Sequence, residues 1–320
     1  MRIPTALWIL LLALPMAARA ENCSAEERAD ADRRLWLDAA SKAFAETTHA
    51  PWGLPVATVG APRLTPLTQR NYLIGYSGQL RVPVWTANQV TAGDGVRRRD
   101  CFRADPRLRG VEASRPSDYR EPLFDQGHMV PSADAIDSVG MLNTFVMSNM
   151  APQFCQFNRG VWMMLEALVR DYAQSSPVFV VTGAVFDYDR DAAPDAPDTV
   201  VRMARGDRER RVAVPSAFFK VLARKTAEGT VETVSILLPH NQSEVRAHEL
   251  RGALQRGVVT LAAVERVSGL DLFPTVGAGH RDATTLWPSE LRPRSFVDSR
   301  CRRTSGAVVE RGTGLPYYRR

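Results

Sequence analysis

Apolar and polar positions in this 320-residue chain alternate with two different periods. From Glu27 to Thr47, Ala, Leu and charged residues fall at helical spacing, which predicts an amphipathic N-terminal helix. Prolines and glycines then break the pattern over residues 51–66, a connector. "NYLIGYSGQLRVPVWTA", Asn71 to Ala87, reads as two strands joined by a turn at Ser77-Gly78. Residues 93–120 are polar and aperiodic, a long loop of the kind that often carries function.

Beyond that loop, Thr144–Met150 predicts a short strand and Gly160–Ala173 a helix. "PVFVVTGAVF" is a nearly continuous apolar run and predicts a strand buried on both faces. Thr199–Met203, Val212–Leu222 and Thr233–Leu238 predict further strands, and "TLAAVERVSGL" a helix closed by Gly269. Strands and helices are interspersed without a βαβ rhythm, so the fold class is α+β. A main domain over residues 51–275 is flanked by a helical extension at 21–50 and an arginine-rich tail at 276–320.

The first twenty residues, MRIPTALWILLLALPMAARA, have a basic start, an apolar run from Leu7 to Leu14 and a small-residue ending at Ala18-Arg19-Ala20. This layout predicts a signal peptide cut after Ala20, and therefore a periplasmic or secreted protein. The run is too short for a permanent membrane span. Cys23, Cys101, Cys155 and Cys301 all lie beyond the cut, and an even count in an oxidising compartment predicts two disulfides. Three pairings are open; Cys23 with Cys301 and Cys101 with Cys155 would tie the ends and brace the centre. No C-x-x-C pair is present, which argues against a zinc ribbon or a thioredoxin-like motif.

Cleavage removes Arg2 and Arg19 and no acid, taking the formal charge from +6 to +4. Among the 41 basic residues only Lys42, Lys220 and Lys225 are lysines. Arginine presents a planar fork suited to phosphate, so the balance permits a polyanionic partner.

Candidate chemistry concentrates in two segments. "FDQGHMVPSADA", Phe124 to Ala135, places His128 behind Gly127, and the small residues around it leave room for a bulky ligand beside the imidazole. "SNMAPQFCQFNRGVWMMLE", Ser148 to Glu166, leads into the helix whose apolar face is Val161, Leu165, Leu168, Val169 and Tyr172. Glu166 falls on the margin of that face beside Trp162. Asn158, read as the residue capping the helix entrance, lies eight positions earlier, about 12 Å along the axis. Helical side chains lean toward the N-terminus, so Glu166 reaches back toward Asn158 through bridging water. A carboxamide oxygen backed by a carboxylate suits Mg²⁺, with Mn²⁺ as the alternative.

These motifs resemble the DNA/RNA non-specific endonucleases of the ββα-metal (His-Me finger) class. The family's D-R-G-H is similar to Asp125-Gln126-Gly127-His128. Its S-N-x-x-P-Q and N-x-G-x-W-x-x-L-E are similar to Ser148-Asn149, Pro152-Gln153, Asn158, Gly160, Trp162 and Leu165-Glu166. "VVTGAVF", "VAVPSAFFKVL" and "VERVSGLDLFP" extend the likeness over most of residues 70–275.

The resemblance implies a metal-dependent enzyme that cleaves DNA and RNA to 5′-phosphate ends. His128 would be the general base, Asn158 the metal ligand, and Glu166 would orient water on the cation, with Asn149 shaping the site. The oligomeric state stays open, a homodimer included. Gln126 departs from the family arginine that holds the scissile phosphate, and replaces a charge-assisted contact by a neutral one. Arg99 is the expected substitute; Arg97 and Arg98 in the same loop, and Arg159 next to Asn158 in sequence, are the other candidates, and Asp125 and Arg159 are read as substrate contacts. The alternative is a nucleic-acid-binding protein on this scaffold with its catalysis weakened or lost.

Other groups carry less. Ser77 in "IGYSGQ" misses the nucleophile-elbow spacing, and His240, His248 and His280 lack metal-ligand spacing and are expected at the surface or at caps. "RMARGDRERR", Arg202 to Arg211, is expected to be a solvated basic run.

Overall fold

Val178–Val185 is apolar on both faces because it lies in the middle of a sheet. The structure, a computed structural model, describes residues 23–58, 61–93, 95–110, 112–205, 207–276, 279–292, 294 and 301. Residues 1–20, read from sequence as a signal peptide, and most of the tail at 276–320 lie outside the described residues. In chain order the strands are β1 (Val56–Ala57), β2 (Thr65–Thr68), β3 (Leu73–Ser77), β4 (Val82–Val90), β5 (Phe124–His128) and β6 (Met150–Phe154). They continue with β7 (Val178–Val185), β8 (Ala217–Lys225), β9 (Val231–Pro239), β10 (Val258–Val259), β11 (Leu270–Asp271) and β12 (His280–Asp282).

The main sheet has eight strands in the order β10-β9-β8-β7-β4-β3-β2, with β12 also paired to β9. Every neighbour is antiparallel except β12 on β9, and a second, two-stranded ladder joins β5 to β6 with His128 opposite Met150. The helices are α1 (Ala25–Arg33), α2 (Ala39–His49), α3 (Ser138–Asn143), α4 (Cys155–Phe157), α5 (Met163–Tyr172), α6 (Leu250–Arg256) and α7 (Leu261–Ser268). Helix α4 follows β6 without a loop and runs through a π-helical segment, Asn158–Trp162, into α5. The order β5, β6, helix is the ββα unit. Among the described residues no helix is long and apolar enough to cross a membrane.

The α+β class, the hairpin β3–β4 and the helix ending at Gly269, which takes the left-handed conformation at φ 66°, agree with the pattern of the chain. Several elements differ. The N-terminal helix is two, because Asp38 accepts from the Ser41 amide at 2.7 Å and starts a new one. Thr144–Met150 is not a strand: a 3₁₀ turn fills Met147–Asn149 and β6 begins only at Met150. Thr199–Met203 makes a single bridge, Arg202 to Ala213, and β8 begins at Ala217, after Pro215, which has no amide hydrogen to pair.

The helix expected from Gly160 begins five residues earlier, and Asn158 has helical dihedrals instead of capping geometry. Gly160, at φ −109° and ψ −106°, supplies the break that the π segment needs.

The disulfides pair Cys23 with Cys101 and Cys155 with Cys301, which corrects the expected pairing. Cys23 is stapled to the long loop before β5, and Cys301 to the first residue of the ββα helix. Glu27 and Asp32 of α1 hold Arg99 and Arg103, so Cys23 sits over the long loop. At the other end Gln156 Nε2 donates to the Cys301 carbonyl at 2.7 Å.

His240 is also not a surface residue. It is fully buried, accepts from the Phe154 amide through Nε2 at 2.7 Å and meets the Pro215 carbonyl through Nδ1 at 2.8 Å. It thereby joins the end of β6 to the segment before β8. Burial pushes its imidazole down to about 3. The unfolded chain therefore takes up this proton first as pH falls, and the associated stability is lost from about pH 6.5 downward, by at most about 1.4 kcal/mol per pH unit. Urea midpoints measured between pH 7 and pH 4.5 should fall, and should fall less steeply in His240→Asn; an equal slope in both proteins would contradict this role.

Candidate active site

Strand β5 is short, and alternate residues of it face opposite ways. Gly127 faces Gln153, which is fully buried and lies diagonally across the ladder from it. A Cβ at 127 would come within 2.3 Å of the Gln153 amide group. The room that Gly127 makes is therefore filled by this chain's own Gln153, and not by a ligand beside the imidazole as its sequence context suggests.

His128 ends β5 and is half-buried. Its ring meets Phe145 edge-on at 4.7 Å and Phe102 at 6.1 Å, and its Nε2 is shielded with no hydrogen-bond partner. Burial first, and the Arg98 cation second, push the imidazole down to about 3, so the ring is neutral at neutral pH. Asn149 holds this strand end in place. Its side-chain oxygen accepts from the Val130 amide at 3.0 Å, and its nitrogen donates to the carbonyls of Val130 and Thr144 at 2.9 and 2.8 Å. With these bonds made and the residue fully buried, Asn149 positions the loop after His128.

Asp125, three residues before His128, ties the hairpin to the helix. It accepts from Asn158 Nδ2 at 2.9 Å and from Arg159 Nε and Nη2 at 2.9 Å each. The bond to Asn158 commits the amide nitrogen and leaves Oδ1 as the atom available to a ligand. Arg159 and Asp125 neutralise one another, so the pair does not offer a free cation in place of the missing arginine.

The remaining arginine candidates sort by their neighbours. Arg99 closes a two-pronged ion pair on Glu27 of α1. Arg98 lies with its guanidinium carbon 5.1 Å from the Phe145 ring, the same ring that flanks His128, and its Nε is 2.8 Å from Asp100. It is largely exposed and its charge reaches both His128 and Glu166. Arg98 is thus the arginine that borders the site. Gln126 turns its Nε2 to the Pro116 carbonyl at 3.3 Å and braces the loop instead.

Glu166 lies on α5, where burial raises its carboxyl and Lys220 opposes that rise most. Its surroundings were missed from sequence: Lys220 of β8, Asp134 of the turn after His128, and Arg170, whose Nη1 is 3.0 Å from Asp134. A lone lysine inside the apolar run "AFFKVLA" was the available signal.

Ser77 is buried and its oxygen accepts from the Leu80 amide, capping a turn. Arg202 and Arg210 of the basic run bond internally, Arg210 to Asp118 and the Ala113 carbonyl, and Arg202 to backbone carbonyls. Three carboxylates close enough to share a cation, Asp187, Asp189 and Asp191, lie after β7 and share no residue with this constellation.

The donor set around Asn158 fits a hard divalent cation: a carboxamide oxygen fixed by an outer carboxylate, and a second carboxylate on the same helix. Substituting Gly127 by Ala should force Gln153 and the strand end apart. We expect a loss of about 1–3 kcal/mol in stability, read as a lower urea midpoint, with activity reduced beyond what the unfolded fraction explains. Unchanged stability would mean that Gln153 moves aside freely.

The comparisons with known proteins agree with this geometry. The sequence pattern of the family described as DNA/RNA non-specific endonuclease matches residues 56–278. Human mitochondrial endonuclease G is 32% identical over 228 residues, covering 69% of this chain and 74% of its own. Nuclease C1 of Cunninghamella echinulata var. echinulata is 34% identical over 217 residues, covering 65% and 82%. In fold, a chain of the crystal structure of the EndoG/EndoGI complex superposes with a TM-score of 0.59 at 24% identity, covering 74% of this chain and 94% of that one. With a family match over more than half its length, the chain belongs to the DNA/RNA non-specific endonucleases.

Proposed function

We propose that the protein is a periplasmic or secreted endonuclease that hydrolyses DNA and RNA with a divalent cation, Mg²⁺ or Mn²⁺, and leaves 5′-phosphate ends. The observation that carries this reading is the commitment of the Asn158 amide nitrogen to Asp125, which leaves the carboxamide oxygen as the atom for a ligand on the helix that also bears Glu166. Asn158 would hold the cation through Oδ1, with Glu166 completing its surroundings. The bound cation supplies Lewis-acid neutralisation of the charge that grows on the phosphate and on the departing 3′ oxygen.

His128 is the base. It is neutral before substrate binds, so it can accept a proton from the attacking water on an imidazole nitrogen. The negative phosphodiester raises the imidazole from its depressed value as it binds, because an adjacent anion favours the protonated ring. Phe102 and Phe145 fix the plane of the ring. Arg98, beside the Phe145 ring that flanks His128, would meet a phosphate oxygen and offset part of what Gln126 lacks. Contacts of this kind go to the backbone and not to base edges, so binding is tolerant of sequence and weakens steeply with salt.

Plasmid DNA and single-stranded RNA incubated with the purified protein should both be degraded with Mg²⁺ and left intact with a chelator, and the products should carry 5′-phosphates. His128→Ala and Asn158→Ala should each lower kcat by at least about 10²-fold with an unchanged circular dichroism spectrum. Gln126→Arg should raise turnover. Salt-sensitive binding of nucleic acid by the wild type, with no metal-dependent cleavage, would instead establish a binding protein on this scaffold.

A further inference from the structure

We propose that Lys220 is a positioning residue of this site: its ammonium, fixed between Thr182 and Trp162, is the buried counter-charge that sets Glu166 and Asp134 in place beneath the cation. The inference rests on the proposed function.

Lys220 is 2% exposed and sits on β8 among Phe218, Phe219, Val221 and Leu222, all fully buried. An ammonium in such surroundings is strongly unfavourable unless it is bonded and paired. Two contacts fix it. Nζ donates to Thr182 Oγ1, its cross-strand neighbour on β7, at 2.6 Å, and lies 4.8 Å from the centre of the Trp162 ring. Arginine, abundant elsewhere in the chain, would bring a planar fork of five donors, which these two contacts cannot satisfy; a compact point charge fits.

Trp162 transmits this placement. It is the last residue of the π segment, four residues after Asn158 and four before Glu166, and is fully buried against Phe157 and Phe218. The ring seated over Lys220 therefore belongs to the stretch of helix that aims both site residues.

The charges point the same way. Lys220 is the strongest opposing charge on Glu166 and also acts on Asp134. Asp134 closes the 3₁₀ turn a few residues after His128 and pairs with Arg170, one helical turn beyond Glu166. Lys220 thus lies among three elements: the sheet, the helix of Asn158 and Glu166, and the turn following His128. Without it, two buried carboxylates repel one another with Arg170 as the nearest remaining cation, and Glu166 moves off the geometry a cation needs.

Lys220→Met keeps the aliphatic stem and removes the charge; Thr182→Val keeps the shape and removes one hydrogen bond. The full chain is titrated with Mn²⁺ by calorimetry without nucleic acid, melted, and assayed on plasmid. Lys220→Met is expected to weaken Mn²⁺ binding about tenfold or more and to lower kcat by a similar factor, with KM within about twofold of wild type. Thr182→Val is expected to shift affinity in the same direction by a smaller factor, with a lowered melting temperature but a folded protein at the assay temperature. Folded variants that both bind Mn²⁺ and turn over like the wild type overturn the proposal. If Lys220→Met does not fold, Thr182→Val decides: weaker Mn²⁺ binding supports the role and wild-type binding overturns it. A wild type that binds Mn²⁺ but cleaves nothing counts against the nuclease reading, whereas normal cleavage with unaltered metal binding in both variants counts against Lys220 alone.

Discussion

One carboxylate holds the site together. Asp125, on the strand that ends in His128, bonds the side-chain nitrogen of Asn158 and both arms of Arg159 on the helix. These are charge-assisted bonds between partly shielded side chains, stronger than the same pair in open solvent. They add a side-chain tie between the two-stranded ribbon and the helix to the backbone bond from the Cys155 amide to the Leu123 carbonyl, and they commit the nitrogen end of the Asn158 amide. A ribbon of two strands is marginal by itself, so a side-chain tie of this kind is what holds the strand that ends in His128 against the helix.

Around that tie the protein separates its functions by depth. At the surface, Arg98 is largely exposed and pairs with Asp100. At mid-depth, aromatic rings hold His128 neutral and upright. Beneath, the Lys220, Glu166, Asp134 and Arg170 charges compensate one another inside the protein. The two disulfides fasten the chain ends to the two sides of this arrangement, Cys23 to the loop that bears Arg98 and Cys301 to the first residue of the helix. Loops that carry substrate contacts lose conformational freedom when they close on a ligand, and tethering them in advance lowers that cost.

Several arginines that look alike in the sequence have unlike fates. Arg99 is taken by Glu27, Arg159 by Asp125 and Arg210 by Asp118, while Arg98 is left on the rim. Adjacent positions in an irregular loop point in different directions with no period to predict them, so composition alone cannot tell a phosphate contact from an internal brace. Gln126 shows the same limit: its amide bonds the Pro116 carbonyl, ten residues earlier, and serves the loop.

What the chain determined by itself is what depends on local order. The apolar run of β7, the hairpin of β3 and β4 and the stop at Gly269 follow from periodicity and turn chemistry, and motif spacing singles out His128, Asn158 and Glu166 as candidates. Tertiary structure decided whatever depends on who meets whom across the fold. It paired Cys23 with Cys101, put Gln153 beside Gly127, buried His240 and Lys220, and started the site helix at Cys155, where a π segment brings in Asn158. The reason is physical: a hydrogen bond or ion pair in the interior is fixed by distances between segments that are far apart in sequence, and no pattern of neighbours along the chain encodes them.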